Sequence, residues 1–435
     1  MVSDHWKALI SPKVGVIRNV APQLRGSEEP TPPYLYTATL SNFDFHNVDK
    51  TERMGAGKGV TEKDAMASAI GEAIERYCAF QWDPYRTFLA KWNALSPAAS
   101  ISPAELVLYS DDQYSAGKLP YTRWKEDADV TWIHGVEMPS GRSVALPASL
   151  VYLVHPVPRH EDFFAPASSN GLAAGPTLQG AILAGICELM ERDALLVAWM
   201  NRLPAIELDL STAGSLVTGI QKHYKHFFVD VRAFLIPSDL PAAVVLALSC
   251  DEDLRKPAQV VGMGCHPAPA IALTKALFEM CQGRPSESKR FVDKPPRGRL
   301  NQYGDVKTLD DHSAFTSLPE RRKEFAFLWE RGVKAHISDL PNPSRNEAAL
   351  DLDYCVDKLA AMGERVAYVD LTMSDIAGHG FHVVRTLITG LQPIHFGFGE
   401  ERLGGRRLFE LPAKLGFADR TRTVADLNQC PHPLA

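Results

Sequence analysis

Apolar residues recur at helical spacing over four stretches of this chain, about Glu62 to Phe80, Leu178 to Trp199, Ala270 to Gln282 and 347–362. Thr61 followed by Asp64 has the spacing of a capping box at the first of these starts. Shorter β-branched and aromatic runs predict strands at 130–134, 145–154, 227–235, 242–249 and 365–371, and the stretch through 375–389 reads as a helix followed by a strand. Residues 1–50, rich in Pro, Thr and aromatics (PTPPYLYTATLSNFDF), predict short strands and loops. Each of the first three helices is preceded by glycines: Gly55-Ala-Gly57-Lys58-Gly59, SSNGLAAGPT at 168–177, and GMGCHPAP at 262–269. The second is expected to be a loop and the third a turn. The polar, proline-punctuated stretch 284–345 is expected to be an exposed excursion, partly helical around 319–331.

Helices alternating with strands along the chain give an α/β or mixed α+β class, and no tandem repeat of 20 to 50 residues is present. A chain of 435 residues with 45% hydrophobic and 23% charged positions is a globular protein that needs no disulfide or metal to fold. The net charge of −6 argues against nucleic acid or an anionic membrane as partner. No apolar run is long enough to span a bilayer, and the N-terminus lacks a signal-peptide core. Seven cysteines form no CxxC pair, as expected for reduced thiols in a cytoplasmic protein.

The chemistry sits on the three glycine-preceded helices. Each carries a polar pair three residues apart: Glu72 and Glu75, Glu188 and Glu191, Glu279 and Gln282. That spacing puts both members on one helix face. A basic residue follows each pair, Arg76, Arg192 and Arg284. Taken singly, a pair of this kind reads as a surface ion pair with its arginine. The neighbours on the same stripes are nevertheless small or apolar: Ala65, Ser68 and Ala79 on the first helix, Ala181, Ala184 and Leu195 on the second. Carboxylates in such company need a neutralising partner, because an unpaired buried charge is costly. Five carboxylates without a Cys or His set select a hard divalent cation, Mg²⁺, with a nucleoside triphosphate as the party that takes its open positions. Arg76, Arg192, Arg284 and Lys58 would offset phosphate charge, and the glycines would let backbone N–H groups approach it. GAGKG lacks the spacing of a Walker P-loop, and HExxH and GxSxG do not occur. His379 and His382 in GHGFH stand without a second histidine pair and read as core or surface histidines.

The segments KGVTEKDAMASAIGEAIERY, SSNGLAAGPTLQGAILAGICELMERDA and ALFEMCQGR together resemble the YcaO family, in order, from about residue 55 to 290. VAYVDLTMSDIAGHGFHVVRTLITGLQPIHF is similar to the azoline-forming cyclodehydratase branch of that family. The resemblance implies a YcaO-like fold, with helices on several sheets and three glutamate-bearing helices around a central nucleotide site. It implies an N-terminal strand and loop segment at 1–54, an ATP-binding catalytic domain at 55–425, and a proline-containing tail at 426–435 that reaches the active site. Carried over by position, Glu72, Glu75, Glu188, Glu191 and Glu279 would bind Mg²⁺, and Lys58, Ser68, Arg76, Asn170, Arg192, Gln282 and Arg284 would line ATP. Pro431, Pro433 and Ala435 of the tail would be catalytic, although PHPLA lacks the final proline of the family pattern.

The activity implied is ATP-dependent conversion of Cys, Ser or Thr of a ribosomal precursor peptide, such as that of a bacteriocin, to thiazoline or oxazoline. Two alternatives remain at this point: thioamide or amidine formation with an external nucleophile, and a nucleotide-binding subunit without chemistry of its own. Too few residues precede the first motif for a fused ubiquitin-activating-enzyme-like domain, so leader-peptide recognition is expected from a separate partner protein. A homodimer is also implied, with an FMN-dependent azoline dehydrogenase as an optional further partner.

Overall fold

A computed structural model of the chain describes residues 4–41, 53–154, 159–293 and 300–434. The chain forms two compact units of interleaved sequence. The first comprises 1–23, 34–189 and 345–391, and the second 24–33, 190–344 and 392–435.

The first unit holds two sheets. Strands β1 (Ile17–Pro22), β2 (Tyr34–Leu40) and β3 (Met54–Gly59) form an antiparallel three-stranded sheet. A six-stranded sheet combines β4 (Thr87–Lys91), β5 (Asp129–Met138), β6 (Arg142–Pro147) and β7 (Leu172–Gly175) with β13 (Val366–Asp370) and β14 (His382–Ile388). Its path runs β4-β5-β13-β14-β7, with β6 paired to β5. Helices α1 (Glu62–Phe80), α2 (Asp111–Ser115), α7 (Ala348–Ala361) and α8 (Ser374–Ala377) complete this unit. Its core gathers Ile70, Ile74, Ile133, Leu146, Tyr152, Val369 and Val383. The second unit holds a five-stranded sheet in the order β11 (Gln259–His266), β10 (Ala243–Asp251), β9 (Val229–Leu235), β8 (Ile206–Leu208), β12 (Lys334–Ala335). Helices α4 (Ser215–His226), α5 (Pro269–Asp293), α6 (Leu309–Thr316) and α9 (Arg407–Lys414) belong to it. Helix α3 (Leu178–Asn201) begins in the first unit and ends in the second.

The helices sit where the periodicity placed them. Thr61 accepts the N–H of Asp64 at 3.2 Å and starts α1 as the capping pattern anticipates. The three glycine segments each form a strand, β3, β7 or β11, for all or part of their length, in place of the loop expected of the second and the turn expected of the third. The reason is helix packing. A Cβ at Gly57 would run into the backbone of Ala65 and Ala69, and one at Gly55 into Ala69 and Ala73. In the second unit Gly264 lies against Ala272 and Ala276, and Gly262 against Ala276 and Met280. Glycine on the strand lets strand backbone meet helix backbone, which a side chain there would prevent, and alanine lines the helix at every one of these places but Met280. Each member of the second set stands 207 positions after its counterpart (55 to 262, 57 to 264, 65 to 272, 69 to 276, 73 to 280). One hairpin-plus-helix unit therefore occurs twice. Gly57→Ala is expected to cost about 3 kcal/mol by overpacking, read as a lowered urea midpoint; an unchanged midpoint would show that the helix can lift away freely.

Two further expectations are corrected. The strand foreseen at 145–154 ends at Pro147 and gives way to a short 3₁₀ turn at Ala148–Leu150. The 284–345 stretch is no exposed excursion: α5 continues through Pro285 to Asp293, and His312, Phe315, Phe325 and Leu328 are buried. Its polar composition misleads because the charged residues cover a layer of buried aromatics.

A buried carboxyl gives the second unit a pH dependence. Glu29, 6% exposed, accepts the hydroxyl proton of Tyr224 and faces the Arg284 guanidinium at 3.8 Å. Burial nevertheless raises its pKa from 4.5 to about 7. The folded state thus keeps a proton that the unfolded chain releases. Stability is fully present below pH 4.5, falls as pH rises through the window from 4.5 to 7, and is level above it. The loss is about 3 kcal/mol at most, and Glu29→Gln is expected to flatten that part of the urea-midpoint profile between pH 5 and 8.

Candidate active site

In the first unit the acidic residues converge. Glu72 and Glu75 project from one face of α1, one turn apart. Glu72 accepts the backbone N–H of Ala56 on β3 at 3.2 Å and pairs with Arg76 at 3.1 Å. Glu188 of α3 accepts the N–H of Gly171 at 3.0 Å. Glu75 lies in the field of both Glu188 and Glu72. Burial first, then those two carboxylates, push its pKa from 4.5 to about 8, against the opposing pull of Arg76 and Arg385. Glu75 therefore sits among like charges, and carboxylate oxygens are the donor type that a hard divalent cation takes.

Arg385 on β14 is a site residue that the sequence reading missed. Its guanidinium is 1% exposed and donates to the carbonyls of Val151 (2.9 Å), Asn170 (2.5 Å) and Ser168 (2.6 Å). Burial lowers its pKa to about 10 while Glu188 and Glu75 work the other way. A single signal pointed to it: one arginine inside the otherwise apolar strand HVVRTLI. It fixes the 168–171 loop that presents Asn170, whose Nδ2 is buried without a hydrogen-bond partner. An orphaned donor beside an acidic cluster fits a ligand oxygen. Ser68 lies exposed one turn before Glu72 on α1, and Lys58 is half-buried on β3.

In the second unit Glu191, 7% exposed, pairs with Arg192 at 3.0 Å on the last turns of α3. Asp193, which the sequence reading did not single out, is fully buried and takes two 2.8 Å bonds from Arg407 and one from the N–H of Gln392. Glu279 and Gln282 share a face of α5 one turn apart, 207 positions after Glu72 and Glu75. Arg284 does not join them. Two residues beyond Gln282 it points to the opposite side of the helix, where it meets Glu29, Ser249 and Asp251 and lies over the Tyr224 ring. Its expected role at the nucleotide is therefore replaced by a structural one. The tail is packed rather than loose: Pro431, His432, Pro433 and Leu434 are buried, and Trp199 donates to the carbonyl of Cys430 at 2.8 Å. Burial first, then His312, His395 and the Arg192 charge, hold the His432 imidazole well below its usual pKa. Ala435 lies outside the described residues.

The glycines require a correction too. Their expected service as phosphate-facing N–H groups is overturned, since Gly55, Gly57, Gly262 and Gly264 are strand residues pressed against a helix. The Gly171 N–H is committed to Glu188.

Carboxylate-bearing helices with no P-loop define a class of nucleotide-dependent enzyme that presents acidic side chains, not a glycine cradle, to its metal. Residues 56–392 match the family described as YcaO cyclodehydratase, ATP- and Mg²⁺-binding. The chain belongs to the YcaO family. It is an enzyme family that binds ATP and Mg²⁺. An uncharacterized protein of Methanothermobacter thermautotrophicus is 29% identical over 360 residues, 81% of this chain and 84% of that one. Among solved structures, a heterocyclase in complex with substrate and cofactor superposes with a TM-score of 0.81 at 25% identity, over 99% of this chain and 56% of that one. The chain thus spans little more than half the length of that heterocyclase. YcaO from Methanopyrus kandleri, bound with AMPPCP and Mg²⁺, shares the fold with a TM-score of 0.62 at 21% identity, over 85% of this chain and 86% of that one. The mixed α/β architecture on several sheets is that of YcaO heterocyclases. Among the described residues no helix is long and apolar enough to cross a membrane.

Proposed function

We propose that this chain is an ATP-dependent peptide cyclodehydratase. The coupled carboxylates Glu72, Glu75 and Glu188, on helices that lack a P-loop, carry the reading. A Cys, Ser or Thr side chain of a ribosomal precursor peptide adds to the preceding amide carbonyl. The oxyanion formed takes the γ-phosphoryl group of ATP, releasing ADP. Phosphate then leaves from the former carbonyl carbon as the amide nitrogen gives up its proton, and the C=N bond of a thiazoline or oxazoline closes. Oxygen is a poor leaving group from such a carbon, and phosphorylation makes it a good one.

Glu72, Glu75, Glu188, Glu191 and Glu279 hold magnesium in this reading, and Mg²⁺ when bound offsets charge on the transferring phosphoryl group. Ser68, Asn170, Arg76, Arg192, Gln282 and Lys58 bind the nucleotide. Arg385 holds the loop that presents Asn170. Pro431, Pro433 and Ala435 of the tail orient the peptide and assist proton transfer. A separate leader-binding protein delivers the peptide, and the chain works as a homodimer in the cytoplasm.

The test combines chain, ATP, Mg²⁺, candidate precursor peptide and leader-binding partner, and reads peptide mass. Loss of one water per ring supports the proposal; peptide left unmodified beside ATP turnover opposes it. Removing residues 431–435 is expected to stop ring formation. Modification that survives this truncation favours an external nucleophile, sulfide or amine.

A further inference from the structure

Three histidines far apart in sequence meet inside the second unit: His312 of α6, His395 in the segment after Gln392, and His432 of the tail. All three are buried, at 0, 4 and 1% exposure, and one ring nitrogen from each lies within 4.8 Å of the other two. The His312 and His432 rings stack with centroids 3.8 Å apart, and His395 meets His432 edge-on at 4.7 Å. We propose that His312, His395 and His432 form a three-imidazole site for a borderline divalent transition metal, zinc by preference, that fastens the carboxyl-terminal segment to the body of the second unit.

The donor set argues for the metal class. Three neutral imidazoles suit Zn²⁺ and its neighbours, whereas Mg²⁺ takes oxygen. The surroundings argue for a built site. A histidine that binds metal through one nitrogen donates its other N–H to a carbonyl or carboxylate, which fixes ring and tautomer. Here carbonyls stand in the outer-shell position for one nitrogen of His432 and one of His312. His432 Nε2 stands 3.0 Å from the carbonyl of His395, while its Nδ1 is the acceptor nitrogen, 3.3 Å from the N–H of Leu434. The two nitrogens of His312 each lie 3.0 Å from a carbonyl, those of His432 and Phe396. A neutral imidazole can donate to only one of these, which leaves a lone pair facing oxygen. His395 Nε2 lies 3.9 Å from Glu401, and its Nδ1 is buried with no hydrogen-bond partner. One cation satisfies that orphaned nitrogen directly, whereas His312 and His432 reach it by turning away from a carbonyl and from the Leu434 N–H that hold their acceptor nitrogens.

Arg192 and Arg402 oppose a nearby cation and Glu401 offsets them. Tetrahedral Zn–N bonds place ligand nitrogens about 3.3 Å apart, so the rings turn toward one another when metal binds. The site leaves a fourth position for water, and its effect is on the tail: a clamp at His432 sets the position of Pro431 and Pro433 on either side. It stands independently of the cyclodehydratase reading.

The experiment uses the full chain stripped with a chelator and titrated with Co²⁺ as a visible probe, then with Zn²⁺. One equivalent of Co²⁺ giving the strong bands of a four-coordinate nitrogen site, displaced by Zn²⁺ and not by excess Mg²⁺, is the expected result. His432→Gln and His395→Gln are each expected to weaken Zn²⁺ binding by on the order of 100-fold or more, while His382→Gln leaves it unchanged. Zn²⁺ should also slow carboxypeptidase trimming of the wild-type tail. A chain that binds no equivalent of Co²⁺ or Zn²⁺, or a Co²⁺ spectrum that persists in His432→Gln, overturns the proposal. His432 stands near the chain end, and circular dichroism of that variant shows whether lost binding reflects lost fold.

Discussion

Glu188→Gln is expected to lower Mg²⁺-dependent ATP turnover by about 1,000-fold, the size of effect seen when one charge-stabilising group is removed from a preorganised site. The same change is expected to leave the metal-free protein as stable as the parent or more so. The two signs follow from one cause. Glu188 raises the cost of ionising Glu75, so its charge is a burden until a cation arrives. Glutamine keeps an oxygen to accept the Gly171 N–H and removes the charge. Thermal unfolding with and without Mg²⁺-ATP separates the effects, because a ligand raises stability only where it binds the folded state. The parent should shift upward with Mg²⁺-ATP and the variant should not. Glu191→Gln is expected to abolish turnover likewise. Wild-type turnover in either variant would remove these glutamates from the metal site.

Arg385→Met is expected to cost about 3–5 kcal/mol, the penalty for breaking a buried charged network on one side only. Methionine fits the volume and supplies none of the donors. The carbonyls of Val151, Ser168 and Asn170 then lose their partner, and Glu75 and Glu188 lose a fully buried cation. Lysine should not rescue it, because three carbonyls in different directions require the guanidinium fork. Urea unfolding reads the loss directly. A cost below about 1 kcal/mol for Arg385→Met would show that water replaces the arginine.

The glutamate pairs were legible in sequence because helical spacing and a small or apolar stripe are local properties of α1 and α3. Their coupling was legible only in outline, since the contact of Glu75 with Glu188 joins residues 113 positions apart. Arg385 and Asp193 escaped because their partners come from distant strands and loops. The histidine cluster escaped for the same reason: 312, 395 and 432 have no ligand-like spacing. Glycines misled most. Gly55 and Gly262 resemble turn residues in composition, yet the pressure on them comes from a helix that sequence periodicity cannot place against its strand. Arg284 misled through its nearness to Gln282, when two residues on a helix separate faces rather than join them.

The twofold occurrence of the hairpin and helix bears on ancestry. The glycines, two of the three alanines and the first acidic residue keep the same interval, so the simplest history is one short gene segment copied within itself, with the copies diverging afterwards. The copies diverge elsewhere, Ala73 being matched by Met280, and at the second acidic rung Glu75 is matched by Gln282. The two halves of a segment doubled in this way differ by one acidic charge at that rung.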